Sequence, residues 1–309
     1  MFGVVVRAYG KFFTVQLTDG RELLSTIKGG LKRRRRSTDL VAVGDKVWVT
    51  DVGEGEGRIE LVEPRTSALS RLARQTEDVE QIILANPDQA LFLFAVQNPD
   101  PHPRLLDRFL VMAESRNLPA LIGVNKMDMD VADAKAETSL AHRIFSPYEG
   151  IYPVYYLSAK SGRGLDELRT ALEGKITAVA GPSGVGKSSL LNVLDPSRDR
   201  TVGAISAATG KGRHTTTATV LHRVPGHAST YVADTPGIRA LSLQGVNVNE
   251  LDELFPEMRP FLGSCRYADC SHVTEPGCAI RTAVDDGQIS RDRYESYVAL
   301  RRGEIPDEG

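Results

Sequence analysis

Residues 181–188 have the sequence Gly-Pro-Ser-Gly-Val-Gly-Lys-Ser, a spacing of glycine, lysine and serine that suits the binding of a polyphosphate. An apolar run at 175–180 predicts a buried strand before this loop, and 187–194 predicts a helix after it. The glycines let backbone N–H groups turn towards phosphate, and the helix dipole adds partial positive charge. We expect nine residues to contact a nucleotide here: Gly181, Pro182, Ser183, Gly184, Val185, Gly186, Lys187, Ser188 and Ser189.

Two side chains of this loop have distinct predicted roles. Lys187 is a mobile point charge that can reach the β- and γ-phosphates. Ser188 offers a hydroxyl oxygen, which is a ligand that Mg²⁺ prefers. Strand, complete loop pattern and helix rarely coincide by chance, so the sequence predicts a Mg²⁺-nucleotide site.

The stretch Asn125-Lys126-Met127-Asp128 follows a predicted strand at 118–124 and would lie at the edge where open α/β sheets bind ligands. The Asp128 carboxylate can accept hydrogen bonds from N1–H and the N2 amino group of guanine, whereas adenine has an acceptor at N1. Such pairing rejects the wrong base by roughly 10⁴-fold. Lys126 would pack along the base, and Asn125 would connect neighbouring loops. Alone, the motif also fits an ordinary capped turn; beside a phosphate loop it favours guanine.

A third motif, Ser158-Ala159-Lys160, follows an apolar stretch at 152–157. The backbone N–H of Ala159 is suited to donate to guanine O6. Because the three residue types are common, this assignment depends on the neighbouring motifs.

The turn Asp234-Thr-Pro-Gly237 follows a predicted strand at 229–233. Asp234 would hold Mg²⁺ through water, and the Gly237 N–H would bind the γ-phosphate, so the segment would order with GTP and relax after hydrolysis.

A polar, glycine-rich stretch at 210–217 is predicted to be a further switch segment, which precedes the Asp-Thr-Pro-Gly turn in the sequence. Thr215 or Thr216 would complete the Mg²⁺ coordination, and the sequence does not distinguish between them. His214 could contact the attacking water as a catalytic residue, although a lone histidine more often has a structural role. Ile238 can neither donate nor accept a hydrogen bond where Ras-type enzymes carry a glutamine. Unless another residue positions the water, we expect slow intrinsic hydrolysis and an activating partner.

The order of these motifs is itself informative. In Ras-like GTPases the phosphate loop comes first and the guanine-binding motif comes late, whereas here 125–128 precedes 181–188. The order predicts a circularly permuted GTPase domain with a P-loop α/β fold. An ATPase is a poor alternative because Asp128 would have no role in it.

Before this domain, short β-rich runs at 2–8, 12–17, 47–52 and 58–62 are separated by turn residues, which favours a small β-barrel over a sandwich. The first 65 residues carry twelve Lys and Arg against nine Asp and Glu, a net charge of +3 in a chain of net charge −2. Six of those bases fall within 28–36. From composition alone, a solvated charged loop is favoured over a nucleic-acid site. The basic residues in question are Lys32, Arg33, Arg34, Arg35 and Arg36.

After the domain, three cysteines and one histidine have the spacing C-x₄-C-x-H-x₅-C: Cys265, Cys270, His272 and Cys278. Three thiolates and one imidazole can close a tetrahedral structural zinc site with no open position. The alternative is three buried thiols without a metal. An odd number of cysteines in one short stretch argues against a secreted disulfide framework and favours a reducing compartment.

The last predicted helix spans 290–300, with Ser290 as its N-cap. Tyr294, Tyr297 and Val298 would share the face that docks on its own domain.

Global properties agree with a cytoplasmic protein. With 309 residues and 41% hydrophobic residues, the chain can build two or three domains. No apolar run approaches the roughly 18 residues of a membrane span, and Arg7 and Lys11 interrupt the first residues, so no signal peptide is expected. We expect no membrane partner and a monomer.

Taken together, the guanine motif, the phosphate loop, the threonine switch, the Asp-Thr-Pro-Gly turn and their order resemble the RsgA family of small ribosomal subunit biogenesis GTPases over essentially the whole chain. The resemblance implies an N-terminal OB-type β-barrel that binds RNA (1–65), a circularly permuted GTPase domain (66–245) and a mainly helical zinc-binding domain (246–309). It also implies that the basic run at 32–36 contacts RNA, and that the four cysteine and histidine positions carry the metal.

The resemblance further implies a GTPase that binds GTP and GDP, contacts the small (30S) subunit and its rRNA late in maturation, and is stimulated by that subunit to hydrolyse GTP. Because Ile238 leaves the trigger open, two alternatives stand. One is a GTP-controlled RNA-binding scaffold, and the other is a GTPase with a different activating partner.

Overall fold

In the computed structural model, which describes residues 1–29, 39–73, 76–130, 138–196, 219–227, 229–235 and 246–304, five strands near the N-terminus close into a barrel. They are β1 (Phe2–Tyr9), β2 (Phe12–Leu17), β3 (Glu22–Ile27), β4 (Lys46–Gly53) and β5 (Glu56–Val62). The strand order is β1-β2-β3-β5-β4, with β3 and β5 parallel and the other described pairs antiparallel. The predicted OB-type barrel is confirmed. Its apolar centre includes Val5, Phe13, Val15, Leu23, Val47, Val49 and Ile59.

A two-stranded hairpin follows the barrel, in a segment where no element was predicted. Its antiparallel strands are β6 (Ala68–Ala73) and β7 (Thr76–Ala85). Gly44 in the barrel has φ +92°, and a Cβ placed there would lie 2.0 Å from the Ala85 carbonyl oxygen. The Ala85 N–H donates to the Val43 carbonyl at 2.8 Å, and the Asn86 side-chain amide donates to the Gly44 carbonyl at 3.1 Å. Barrel and hairpin therefore share a close backbone seam.

A buried ion pair reinforces this seam. Asp45 is fully buried and accepts two hydrogen bonds from the Arg65 guanidinium, at 2.7 and 2.8 Å. Asp45 also accepts from the Ala42 N–H at 2.7 Å, and Arg65 donates to the Asp39 carbonyl at 2.9 Å. Asp39 in turn accepts from the Ile82 N–H of the hairpin at 2.9 Å.

Six further strands form one sheet in the order β10-β9-β8-β11-β13-β12. They are β8 (Gln89–Ala95), β9 (Ala120–Asn125), β10 (Val154–Tyr156), β11 (Ile176–Ala180), β12 (Val220–Arg223) and β13 (Tyr231–Asp234). The pairs β9–β10 and β11–β13 are parallel, and β12 runs antiparallel to β13. Every residue of β8, β9 and β11 is buried, as expected for inner strands covered on both faces.

Four α-helices accompany these strands in the described part of the chain: α1 (Pro103–Glu114), α2 (Leu140–Phe145), α3 (Leu165–Leu172) and α4 (Lys187–Leu194). A short 3₁₀ helix at Met127–Met129 includes the last two residues of the guanine motif, and another at Ser146–Tyr148 follows helix α2. This is the predicted α/β architecture.

The C-terminal part is helical, as predicted. It contains 3₁₀ helices at Val248–Leu254 and Arg259–Phe261, and the α-helices α5 (Ala279–Asp285) and α6 (Arg291–Arg301). Tyr297 is fully buried, with Tyr294 and Val298 packed partly against the same core, so the predicted docking face is confirmed. Ser290 does stand at the N-cap, but its side chain makes no capping hydrogen bond. The expected N-cap position is therefore right, but the expected stabilising hydrogen bond from the Ser290 side chain is wrong.

By compactness the chain divides into two units. One comprises residues 1–91, 159–181 and 186–241, and the other comprises residues 92–158, 182–185 and 242–309. The predicted boundaries at 65/66 and 245/246 stay predictions. Within the described residues, no helix is both long and apolar enough to cross a membrane.

The second unit contains a buried arginine that joins distant parts of the sequence. The Arg293 side chain in α6 is only 1% exposed. It donates to both carboxylate oxygens of Glu257, at 2.7 and 3.0 Å, and to Asp107 of α1. Its guanidinium also lies over the rings of Tyr148 and Phe255, 5.1 and 4.8 Å from their centroids. The buried charge is thus paired and covered by aromatic faces.

Candidate functional site

The guanine motif lies at the carboxyl end of β9, where Asn125 is the last strand residue and is buried. The Asn125 side-chain amide donates to the Val185 carbonyl of the phosphate loop at 2.8 Å. The next residue, Lys126, has a left-handed backbone with φ +65°, and its ammonium donates to the Asn98 carbonyl. Met127 is buried and its N–H donates to the Leu157 carbonyl at 3.2 Å. The motif is held by its side chains as well as its backbone.

Asp128 is exposed, and one of its carboxylate oxygens is held by a neighbour. The hydroxyl of the buried Ser158 donates to Asp128 Oδ1 at 2.6 Å. A hydrogen bond of this length holds that oxygen in place. Two of the predicted motifs therefore meet, and together they present an oriented carboxylate that can accept paired donors. Ala159 and Lys160 follow in the adjoining turn, where Lys160 is exposed.

The phosphate loop connects β11 to α4 as the sequence predicts. Gly181, Gly184 and Gly186 have φ of +151°, +78° and +97°, values that L side chains rarely adopt. Gly186 is the N-cap of α4, and the Lys187 ammonium donates to the Gly181 carbonyl at 2.8 Å. The loop therefore curls back on itself with the lysine across it. Pro182 is half-buried, Val185 is buried, and Ser183, Ser188 and Ser189 are exposed.

Asp234 ends strand β13, opposite Val179 of β11 in the parallel register. Since the phosphate loop begins two residues after Val179, the register brings Asp234 to the same end of the sheet as that loop. The next residue, Thr235, is buried and its hydroxyl donates to the Val179 carbonyl at 2.9 Å. The start of the Asp-Thr-Pro-Gly turn is thus hydrogen-bonded to β11, the strand that leads into the phosphate loop.

Several predicted residues lie outside the residues that the structure describes. They are Gly237 and Ile238 of the turn, His214, Thr215 and Thr216 of the threonine switch, and Lys32, Arg33, Arg34, Arg35 and Arg36 of the basic run.

The cysteines and the histidine of the C-terminal part come together. One ligand atom from each of Cys265, Cys270, His272 and Cys278 lies within 4.8 Å of all the others. The Cys265 and Cys278 sulfurs are 3.9 Å apart, and His272 Nδ1 lies 3.5 and 3.4 Å from them. Burial raises the pKa of the Cys270 thiol to about 12 and also raises that of Cys278. A cation would offset this cost by stabilising thiolates, so the cluster could hold a metal ion.

Two sets of hydrogen bonds shape the loop that carries these ligands. Glu275 accepts from the Ser271 N–H and hydroxyl and from the N–H groups of Val273 and Thr274, at 3.0 to 3.1 Å for the backbone donors. These bonds, led by the one from the Ser271 hydroxyl, lower the pKa of Glu275 to about 2. Two tyrosine hydroxyls of α6, on Tyr294 and Tyr297, donate to the carbonyls of His272 and Ser271, each at 2.8 Å.

One contact of this cluster involves a residue from a different segment of the chain. His272 Nε2 lies 3.1 Å from Oδ2 of Asp252, twenty residues earlier in the 3₁₀ helix Val248–Leu254. No spacing rule connects a carboxylate on one helix to a ligand on a later loop, so the sequence offered no signal for it.

Comparison with known proteins gives a consistent result along the whole chain. A family model described as RsgA GTPase matches residues 62–244. A small ribosomal subunit biogenesis GTPase RsgA of Gemmatimonas aurantiaca is 44% identical over 301 residues, covering 97% of this chain and 96% of that protein. A protein of the same name from Chlorobaculum tepidum is 38% identical, covering 96% of each chain.

Two solved structures resemble the chain in fold. YjeQ from Thermotoga maritima superposes with a TM-score of 0.77 at 32% identity, covering 99% of both chains. YloQ, described as a circularly permuted GTPase, superposes with a TM-score of 0.73 at 28% identity, covering 99% of this chain and 96% of the other.

Proposed function

The chain belongs to the RsgA GTPase family, and we propose that it binds and hydrolyses GTP late in the maturation of the small ribosomal subunit, which stimulates the hydrolysis. GTP, GDP and the small subunit are its proposed partners, and it acts as a monomer in the cytoplasm. The three free cysteines are consistent with that reducing compartment.

The observation that carries the guanine assignment is the pairing of Ser158 with Asp128 at 2.6 Å. It leaves an exposed carboxylate in one orientation, which suits the two adjacent donors on the edge of guanine. The curled loop with Lys187 supports the binding of phosphates. Mg²⁺ would be bound by Ser188, by Thr215 or Thr216, and through water by Asp234. Gly237 would bind the γ-phosphate, and His214 would contact the attacking water.

The decisive experiment measures GTP hydrolysis by the purified protein alone and with small ribosomal subunits, with large subunits and ATP as controls. Strong stimulation by the small subunit only is the expected result. Tight GTP binding without stimulation would instead favour the RNA-binding scaffold or a different activating partner. Under the proposal, His214→Ala loses the stimulated rate and keeps nucleotide affinity.

Base recognition has its own test. Asp128→Asn removes an acceptor from two charge-assisted hydrogen bonds, each contributing about 1.5–3 kcal/mol, so GTP affinity should fall by about 100-fold or more. Affinity for xanthosine triphosphate should rise. Asp166→Asn is the control, because this carboxylate is 96% exposed and pairs only with Arg169 of its own helix among the contacts described. Unchanged GTP binding in Asp128→Asn would disprove the guanine assignment.

We further propose that the metal is a single structural zinc ion. With Zn–S bonds of about 2.3 Å and a Zn–N bond of about 2.0–2.1 Å, a tetrahedral zinc would set two sulfurs about 3.8 Å apart and a sulfur and nitrogen about 3.6 Å apart. The corresponding distances are 3.9 Å between the sulfurs of Cys265 and Cys278, and 3.5 and 3.4 Å from these to His272. With four protein ligands the ion would stabilise the fold and leave no position open for substrate. Metal analysis of the purified protein should give one zinc per chain.

Contacts with rRNA are proposed for the flanking domains. The basic residues 32–36 supply positive charge for phosphates, and the barrel exposes Phe12 and Trp48, at 52% and 46%. Exposed aromatic rings on an OB-type barrel suit stacking with unpaired bases.

A further inference from the structure

The imidazole of His272 is contacted from both sides. Its Nδ1 faces the sulfurs of Cys265 and Cys278, and its Nε2 faces Asp252 Oδ2 at 3.1 Å. The ring side chain is 6% exposed and the Asp252 side chain 17%, so water screens the contact little. If Asp252 accepts from an Nε2–H, the lone pair of the ring is on Nδ1, the nitrogen that faces the two cysteine sulfurs.

The carboxylate is itself held in place. Asp252 Oδ1 accepts from the Glu253 N–H at 3.1 Å, which leaves Oδ2 for the histidine. The helix that carries it is anchored at its first residue and in its middle. Leu251 is buried in the C-terminal core, and the Val248 carbonyl accepts from the Arg301 guanidinium at 2.8 Å.

The ligand loop needs such support. His272 has a left-handed backbone with φ +62°, a strained conformation for a non-glycine residue. The Tyr294 hydroxyl holds the His272 carbonyl at 2.8 Å, which fixes the backbone but not the rotation of the ring. Among the described residues, Asp252 is the partner on the far side of that ring.

We propose that Asp252 is a positioning residue for the metal site: it accepts from His272 Nε2–H, directs Nδ1 to the metal, and so makes metal binding depend on the helix Val248–Leu254. Carboxylates in this position fix the tautomer of a ligating histidine and raise its basicity, and removing them typically weakens metal affinity by about 10- to 100-fold. The inference rests on the proposal that the cluster binds zinc, and adds a residue from a different segment of the chain.

The test measures Zn²⁺ affinity of the full chain by competition with a chromophoric chelator, in the absence of nucleotide and ribosome. Asp252→Leu removes the acceptor, whereas Asp252→Asn removes the charge but keeps an oxygen that can accept from Nε2–H. We expect Asp252→Leu to bind Zn²⁺ about 10- to 100-fold more weakly, with Asp252→Asn between it and the unsubstituted chain. Glu253→Leu is the matched control, because Glu253 is exposed on the same helix, and it should bind as the unsubstituted chain does.

Two readouts separate positioning from a general loss of structure. The midpoint temperature of thermal unfolding should be lower for zinc-loaded Asp252→Leu than for the zinc-loaded unsubstituted chain. For the metal-free proteins the two midpoints should be nearly equal. The absorption bands of the Co²⁺-substituted site should shift in Asp252→Leu and not in Glu253→Leu. Equal affinities for Asp252→Leu and Glu253→Leu, or equal losses in the Asn and Leu variants, would overturn the proposal. Failure of the unsubstituted chain to bind zinc would contradict the proposed cofactor instead.

Discussion

Arg293 and Arg21 each bind two acidic side chains, yet they lie in opposite surroundings. Arg293 is 1% exposed and contacts Asp107 and Glu257, whereas Arg21 in the barrel is 53% exposed and contacts Asp19 and Asp51. The contact distances are similar, at 2.7 to 3.0 Å to Glu257 and 2.9 to 3.0 Å in the barrel. What differs is the cost of leaving a partner unpaired, because water solvates the barrel carboxylates and does not reach the others.

Burial by itself would lower the pKa of Arg293, but the charges of Asp107 and Glu257 outweigh burial and raise it. Arg293 therefore stays charged, and its environment is arranged around that charge. In the barrel, water solvates Asp19 and Asp51, so these carboxylates depend less on Arg21. The comparison predicts a graded series of losses when each arginine is replaced by a residue of similar length.

The largest loss is expected from Arg293→Met. It leaves two buried carboxylates unpaired, which typically costs about 3–5 kcal/mol. Urea unfolding of the metal-loaded protein, followed by circular dichroism, measures the change. Arg291→Met is the control, since Arg291 lies on the same helix and is 62% exposed. Adding Asp107→Leu and Glu257→Leu should recover most of the loss, because an apolar replacement of a buried ion pair is often neutral. Equal losses in Arg293→Met and Arg291→Met would break the comparison.

An intermediate loss is expected from Arg65→Met in the barrel. Asp45 is fully buried, and Arg65 supplies two of its hydrogen bonds, but the Ala42 N–H still donates to it after the substitution. Hydrogen bonds to charged groups contribute about 1.5–3 kcal/mol, so we expect a loss of about 2–3 kcal/mol in the same unfolding experiment. A loss as large as that of Arg293→Met would show that the remaining N–H donor gives no compensation.

The smallest effect is expected from Arg21→Gln, which should leave the unfolding midpoint within experimental error. Its effect should appear in the carboxylates. The pKa of Asp19 lies below the ordinary 3.8, mainly because it accepts from the backbone N–H of Arg21 and to a smaller extent because it accepts from the Arg21 guanidinium. The pKa of Asp51 is also lowered, mainly by the Gly53 N–H and to a smaller extent by the same guanidinium. Because the backbone donors remain, NMR titration of the variant should show both pKa values rising only part of the way to 3.8.

The sign of the pH dependence follows from these lowered pKa values. A carboxylate that ionises more readily in the folded state stabilises that state above the unfolded pKa. The contribution is lost as the pH falls below 3.8 and through the folded pKa. Arg21→Gln should therefore flatten the acid limb of the stability curve slightly. If neither pKa changed in Arg21→Gln, the guanidinium would not be a cause of the lowered pKa values.

The sequence predicted the parts of the molecule that short contiguous patterns encode. Asn125 and Asp128, the loop that contains Lys187, and the ligand run from Cys265 all come from motifs of a few residues, because the chemistry needs those residue types at fixed spacing. Strands β9, β11 and β13 of the sheet were predicted from short runs rich in apolar residues.

What was missed depends on contacts between distant residues or on broken patterns. Strand β3 was not predicted because its buried residue Ser25 is polar and interrupts the apolar pattern. A Cβ at the neighbouring Gly57 would lie 2.5 Å from the Ser25 hydroxyl oxygen, so only small residues fit at these two positions. Arg293 and Asp107 are 186 residues apart, and Asp252 and His272 are 20 apart on different elements. No periodicity signals such pairs, because each residue looks like an ordinary surface charge in its own segment.

The backbone seam between barrel and hairpin bears on how the chain should be cut for experiments on isolated pieces. A fragment that stops at Arg65 would leave the carbonyls of Val43 and Gly44 without the donors they have in the intact chain. A fragment that continues through residue 88 retains Asn86 and the hairpin strand before it. Binding assays with an isolated barrel therefore call for the longer piece, since the shorter one would test a protein with an opened flank.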